Sequence, residues 1–501
     1  MIKNFKWLFL VSLTFIACSE DDDVVTYDTS DGLPLTAGTA DLSKYVALGD
    51  SFAAGFSDNA LFIEGQKGAY PNIIAQQFAL AGGGAFSTPF MADNIGGFNS
   101  GGVQIPQFGP RLYFNGAAPV PVSGISGTSI TDHLAGSFNN MGIPGAKVTH
   151  LGFAGYAAGN PYFGRIASSA SATVVGDAMA QSPTFFSLWI GGNDVLGYAT
   201  SGGNTATSPI TPTATFTVAY NALAAQLAAG GRKGVVANLP YVNNLPYFIT
   251  VPTNPIPGLS PAQAGQLNFL FGGINSALAG ASLPPRFATI VADDGNPATT
   301  EKNPLLIVDE TLINISTQIT AALTGTLGLA TATYVGNLYG QARHASNATA
   351  TRDFIVLPAR AVIGTTQAGA PASFSTIGVT YPMQDSTTLT SSETLEVKNA
   401  TDSYNATILA AATANDLAFV DAKAVMDLLG TTGITANNFT LTSTYVTGGA
   451  FSLDGIHPSP RGYALIANKF LQAINVKYGS NFKGVSLGNY RILFPQNPAN
   501  F

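Results

Sequence analysis

A strand-forming apolar run that stops abruptly at glycine and polar residues occurs repeatedly in this chain and restricts its fold more than any other feature. Tyr45-Val46-Ala47-Leu48 ends at Gly49-Asp50-Ser51, and Phe185-Phe186-Ser187-Leu188-Trp189-Ile190 ends at Gly191-Gly192-Asn193-Asp194. A third run, Gly234 to Leu239, follows a helical stretch of Ala, Leu and Gln from Thr215 to Ala229 that Gly230-Gly231 closes. Apolar runs without alternation suit strands covered on both faces, the situation inside a parallel sheet. Strand, helix and strand in succession form the βαβ pattern, so the expected class is α/β. In open sheets of that class ligands sit outside the carboxyl ends of the strands. Ser51 and Asn193 therefore fall on the edge where chemistry is expected, although Gly49-Asp50-Ser51 by itself reads equally well as a turn.

Further helices are expected from about Ala69 to Phe78, with proline in the first turn, and from Ser392 to Asn415, with Ser392 as N-cap. Ala418 to Asp421 reads as the last strand and Pro460 to Tyr478 as the last helix. Between about Thr250 and Asp385 the alternation breaks into proline-rich links and isolated helical pieces near 262–279 and 311–323. That segment reads as an insertion packed on the functional edge of the sheet.

The chain has 501 residues, 10% of them charged, and a net charge of -7 without any Lys/Arg cluster, which argues against a nucleic-acid partner. Residues 1–18 read as an export signal. Lys3 and Lys6 precede an apolar stretch, Trp7 to Ala17, too short to span a bilayer. Phe15-Ile16-Ala17-Cys18 resembles a lipobox, in which Cys18 becomes lipidated and forms the mature N-terminus. Cys18 is the only cysteine, so the chain forms no internal disulfide. Ser19-Glu20-Asp21-Asp22-Asp23 resembles the acidic export tag of Bacteroidetes surface lipoproteins, and 19–42 reads as a flexible tether. The expected location is the bacterial outer membrane, cell-surface exposed, with the N-terminal lipid as the membrane contact.

A serine hydroxyl becomes a nucleophile when a base accepts its proton and a third group orients that base. Of four histidines, His133, His150, His344 and His457, only the last has a carboxylate three residues earlier, a glycine between, and a proline turning the chain into a helix. Asp454 can thus hold one imidazole nitrogen while the other faces Ser51. A developing oxyanion also needs donors. The Asn193 amide, the N–H of Gly145 within Asn140-Met141-Gly142-Ile143-Pro144-Gly145, and the N–H of Ser51 are the candidates, with Gly142 the alternative to Gly145. Asp50 and Asp194 are expected to fix their loops by hydrogen bonds.

Gly49-Asp50-Ser51, Gly142 with Gly145, Gly191-Gly192-Asn193-Asp194 and Asp454-Gly455-Ile456-His457 together resemble, in order, the four blocks of the SGNH (GDSL-type) serine hydrolases. Phe52 stands where the family's nickname has leucine. The resemblance implies a three-layer α/β/α sandwich with a parallel, five-stranded, flavodoxin-like sheet, spanning about 43–490 with the insertion at about 250–385. It implies ester hydrolysis with Ser51 as nucleophile, His457 as base and Asp454 as its orienting partner. The oxyanion hole would be Ser51, Gly145 and Asn193, and no metal or other cofactor is called for. The expected substrate is an ester, either of acyl groups on glycans or of lipids. A catalytically inactive, glycan-binding surface lipoprotein is the alternative. The strip Phe269-Leu270-Phe271 reads first as core of the insertion and second as the wall of an acyl pocket.

Overall fold

The computed structural model of the chain describes residues 33–296, 298–497 and 499. Cys18, the signal-like segment and residues 19–32 of the tether lie outside the described residues. No described helix is long and apolar enough to cross a membrane.

Strand β1 (Tyr45–Gly49) leads into a single helical turn, α1 (Ser51–Ala54), and then into α2 (Tyr70–Leu80). The short β2 (Asn140–Gly142) is followed by β3 (Phe185–Trp189), α3 (Asn193–Thr200), α4 (Thr213–Ala228) and β4 (Lys233–Ala237). The insertion contributes α5 (Pro261–Gly280), α6 (Ser316–Leu327) and α7 (Leu329–Tyr339). The main alternation resumes with α8 (Ser391–Ala414), β5 (Ala418–Val420) and α9 (Pro460–Tyr478).

The five strands form one sheet in the order β5-β4-β3-β1-β2, and every pairing is parallel. The direction of winding reverses at β1, which has β2 on one side and β3 on the other. Such a reversal opens a crevice at the carboxyl ends of the strands. Gly49 pairs with Gly142 and with Trp189, so the chains leaving β1, β2 and β3 emerge side by side. Those three exits carry Ser51, Gly145 and Asn193.

Helices α2 and α9 pack together along one side of the sheet. Phe185 meets Phe78 of α2 at 5.4 Å between ring centroids and Tyr478 of α9 at 5.9 Å. Trp189, four residues on and therefore on the same face, meets Tyr70 and Phe470 of the same two helices. Phe185 and Phe186 are fully buried, and each such ring stabilises the fold by roughly 1.5–3 kcal/mol. Helices α4 and α8 form a second packed pair, with Phe216 stacked on Tyr404 at 3.9 Å. This arrangement is an α/β fold consistent with three layers.

Three expectations shift in detail. The N-cap of α8 is Thr390, not Ser392. Glu393 closes a capping box by accepting the Thr390 N–H at 2.7 Å, and a box pairs the glutamate with the residue three positions before it. The helix expected near 311–323 begins at Ser316, and a second helix, α7, follows it after Gly328, whose φ of +75° ends the first. The insertion builds a core of its own from Leu267, Phe271, Ile274, Ile319, Val335 and Tyr339. Phe271 stacks on Phe287 at 5.0 Å within that core while Phe269 is exposed. Of the strip, Phe271 therefore belongs to the insertion core, as expected, whereas Phe269 does not.

Candidate active site

Asp50 follows β1 and caps α1, its Oδ1 accepting the Phe52 N–H at 3.0 Å. That cap starts the helical turn at Ser51 and aims the hydroxyl away from the sheet. Across the crevice, the loop before α9 presents His457. Its Nε2 lies 2.8 Å from Ser51 Oγ, and its Nδ1 lies 2.9 Å from Asp454 Oδ2. The rings of Phe56 and Phe52 flank the imidazole at 4.6 and 5.4 Å. They restrict its rotation and exclude water from its faces.

Asp454 is fixed on both oxygens. Oδ1 accepts the N–H groups of Ile456 and His457, each at 2.8 Å, while Oδ2 accepts the Asn59 N–H at 2.9 Å as well as the imidazole. Burial pushes the carboxyl up, but the His457 imidazole and these N–H donors outweigh it and hold it below the ordinary aspartate value. A carboxylate that accepts several hydrogen bonds stays ionised. It can therefore orient the imidazole without taking its proton.

The Asn59 contact is a functional feature that sequence reasoning missed. Asp58 and Asn59 have φ of +50° and +67°, and Ser57 and Ala60 exchange backbone hydrogen bonds of 3.1 and 3.0 Å around them. Two successive left-handed residues make a type I′ turn, for which Asp and Asn are suited. Ser57-Asp58-Asn59-Ala60 was legible as a turn, but not as a support for a carboxylate 395 residues away.

The two candidate glycines have different environments. A side chain at Gly142 would meet Ala54 N at 2.3 Å and Ala53 C at 2.6 Å. Gly142 thus lets β2 close against the turn that carries Ser51. Gly145 has φ of +79° and open space, its nearest neighbour being Asn160 Nδ2 at 4.0 Å from the position of an added Cβ. The left-handed backbone is what glycine supplies there. Among the described residues the N–H groups of Gly145 and Ser51 have no protein acceptor. Asn193 Nδ2 donates to the Ala146 carbonyl at 3.0 Å, which ties α3 to the Gly145 loop. An amide nitrogen carries two hydrogens, and the protein uses one.

The remaining expectations fall into place as supports. Asp194 Oδ2 accepts the Val148 N–H at 2.9 Å. Burial pushes the carboxyls of Asp50 and Asp194 each up to about 6, the nearby N–H donors partly offsetting it. His344 is buried in the insertion core, accepts the Ala288 N–H at 2.8 Å, and is pushed down to about 4 by burial. His150 stacks on Tyr156 at 4.5 Å, and His133 is exposed beside the Gly164 carbonyl. None of these three has a contact with Ser51.

No protein-family model, no curated protein and no solved structure matches the chain.

A cleft of ≈ 1190 Å³ opens beside Asp454. Its walls come from the β1–β2 connection (Phe114), the segment after β4 (Tyr247), the end of the insertion (Leu357, Arg360) and the loop before α9 (Tyr445). The insertion thus reaches the functional edge through residues 357–361, while its helices pack elsewhere. A second, narrow apolar cavity of ≈ 50 Å³ lies behind Phe52, between Trp189, Met426 and Phe470. Chemically, the arrangement can move the Ser51 proton to His457 as the oxygen attacks an electrophile, with three N–H donors at the adjoining strand ends.

Proposed function

We propose that the chain is a serine-dependent hydrolase of carboxylic esters, of the SGNH type. The observation that carries this reading is the continuous contact from Ser51 Oγ through His457 to Asp454, at 2.8 and 2.9 Å. Ser51 attacks the ester carbonyl and His457 Nε2 takes its proton. The tetrahedral oxyanion is held by the N–H groups of Ser51 and Gly145 and by the Asn193 amide. His457 then protonates the departing alkoxide, and the acyl group stays on Ser51. Water, deprotonated by the same imidazole, releases the acid and restores the enzyme. Asp454 keeps Nδ1 protonated and stabilises the imidazolium in both halves.

The cleft beside Asp454 mixes apolar residues such as Leu112, Phe114 and Leu357 with tyrosines, an arginine and small hydroxyl residues. That lining suits a bulky amphipathic alcohol part such as an acylated sugar. We place this activity on a lipoprotein anchored through Cys18 at the bacterial outer membrane. The test is a panel of acetylated glycans set against nitrophenyl esters of increasing chain length. Preference for acetyl groups on glycans is the expected result, and a steep preference for long chains would make lipid esters the substrate. Retention of full turnover by Ser51→Ala would remove the reading altogether. For the anchor, Cys18→Ala is expected to leave the membrane fraction.

A further inference from the structure

Away from the crevice, where the insertion returns to the main domain, three carboxylates converge. Glu310 follows a short strand, Leu306–Val308, Asp385 ends the insertion, and Glu393 lies in the first turn of α8. One carboxylate oxygen from each lies within 4.8 Å of the other two. None of the three takes part in any of the ion pairs found among the described residues. The guanidinium of Arg343, on the adjoining strand, is committed to Asp309 and Asp353.

The burial of one member shows that this is more than a surface cluster. Glu393 is only 2% exposed. Its Oε2 accepts the Thr390 N–H, but its Oε1 is buried with no hydrogen-bond partner, and so is Oδ1 of Asp385. A Cβ at position 203 would lie 2.0 Å from Glu393 Oε1, so the glycine there, with φ of +77°, is what allows that oxygen its place. A buried oxygen without a donor is costly, and a buried anion without a counter-charge more so.

We propose that Glu310, Asp385 and Glu393 bind one hard divalent cation, calcium in preference to magnesium, which pins the insertion to helix α8. The donors are all oxygen, as hard cations require. Three atoms within 4.8 Å of one another can all be reached by a single ion. Three carboxylates from separate segments suit the flexible coordination of calcium better than magnesium, which usually takes one or two carboxylates and keeps its waters. Glu310 is exposed, so the ion has a route in and room to keep water ligands. A second acidic group, Asp293, Asp294 and Glu301, has no buried member and carries no such argument.

The test uses the full chain, stripped with EDTA and dialysed, then titrated calorimetrically with CaCl₂ and, separately, MgCl₂. The expected result at the cluster is one calcium per chain, with magnesium at least tenfold weaker, and a melting temperature about 3 °C or more higher in saturating calcium than in EDTA. Glu310→Gln, an exposed change, should weaken calcium at least tenfold, and Asp385→Asn should abolish the calcium-linked shift. Glu393→Gln keeps the capping box, since glutamine also closes it, and should lose the ion without unwinding α8. Absence of any calcium-linked heat or shift up to about 5 mM would overturn the proposal. So would wild-type calcium binding in Glu310→Gln and Glu393→Gln, which would place the ion elsewhere. A rise in melting temperature on Asp385→Asn with no effect of EDTA on the wild type would overturn it too, showing that shared protons alone hold the cluster.

Discussion

Ser51 and His457 are 406 residues apart in the chain and 2.8 Å apart in space, and each is held by neighbours that do not react. Replacing Ser51 or His457 by alanine is expected to lower turnover by roughly 10⁴–10⁶, since members of such a unit fail together. Asn193→Ala is expected to cost about 10²–10³ in kcat with KM little changed, because the oxyanion exists only along the reaction path. A steady-state assay on one nitrophenyl ester measures all three, and equal loss in KM and kcat for Asn193→Ala would argue for ground-state binding instead. Asp58, beside Asp454, titrates the other way. Burial pushes its carboxyl up to about 7, the Leu453 N–H pulls it back, and Asp454 raises it further. The unfolded chain releases this proton near pH 4 while the folded protein keeps it to about 7, so stability falls as pH rises through that window. Asp58→Asn removes the titration and keeps an acceptor for the Leu453 N–H. Its melting temperature relative to wild type should therefore climb between about pH 4 and pH 7 and then level off, with a gain of up to about 4 kcal/mol at the plateau. A difference that stays constant across thermal melts in that range would contradict the assignment. The triad itself was legible in the sequence because its chemistry demands residue types that are scarce here: four histidines, and one Asp-x-x-His. Asn59 was not, because its effect runs through its own backbone N–H, which any residue type can supply, and Asp58 was not, because its carboxyl meets Leu453 only through the fold.

At the scale of elements, the close approach of β2 to α1 decides which glycine does what. Gly142→Ala places a methyl group 2.3 Å from a backbone nitrogen that cannot move without moving Ser51. The expected outcome is a loss of several kcal/mol, or failure to fold, typical of overpacking against backbone. Gly145→Ala meets no such wall and should fold at a cost of about 1–2 kcal/mol for the left-handed backbone. Its turnover should fall more than its stability does, because the N–H is redirected as φ relaxes. Melting curves and activity on the two variants separate packing from chemistry, and the reverse pattern would exchange their roles. Strands β1, β3, β4 and β5 were readable from their apolar runs, whereas β2, only Asn140-Met141-Gly142, was not. The last helix was readable to the residue, since Ser459 and Pro460 open it and Gly479 closes it. The start of α8 was misplaced by two residues because Thr390, Ser391 and Ser392 are all good caps, and only the position of Glu393 chooses among them. Helix α7 escaped notice although Ala332, Val335 and Tyr339 share one buried face, because Thr331, Thr333 and Gly336 among them are poor helix formers.

Over the whole molecule, the strand order places three polar loops at one crevice, and the insertion adds one wall of the cleft beside it. The break in the βαβ rhythm at about 250–385 was visible in the sequence, but its internal packing was not. Leu267, Phe271, Ile319, Val335 and Tyr339 come together only through contacts between distant helices. The main core and the insertion's own core are separate, so an ion held by Glu310, Asp385 and Glu393 would tie the insertion to the main domain and raise overall stability.

The central claim is that Ser51 is a nucleophile activated by His457 and Asp454. Intact-mass analysis after exposure to a fluorophosphonate measures this directly, independent of the natural substrate. The wild-type chain should gain one adduct, mapped by peptide sequencing to Ser51, while Ser51→Ala and His457→Ala remain unmodified at matched melting temperature. An unlabelled wild-type protein, or an adduct that persists in Ser51→Ala, would contradict it.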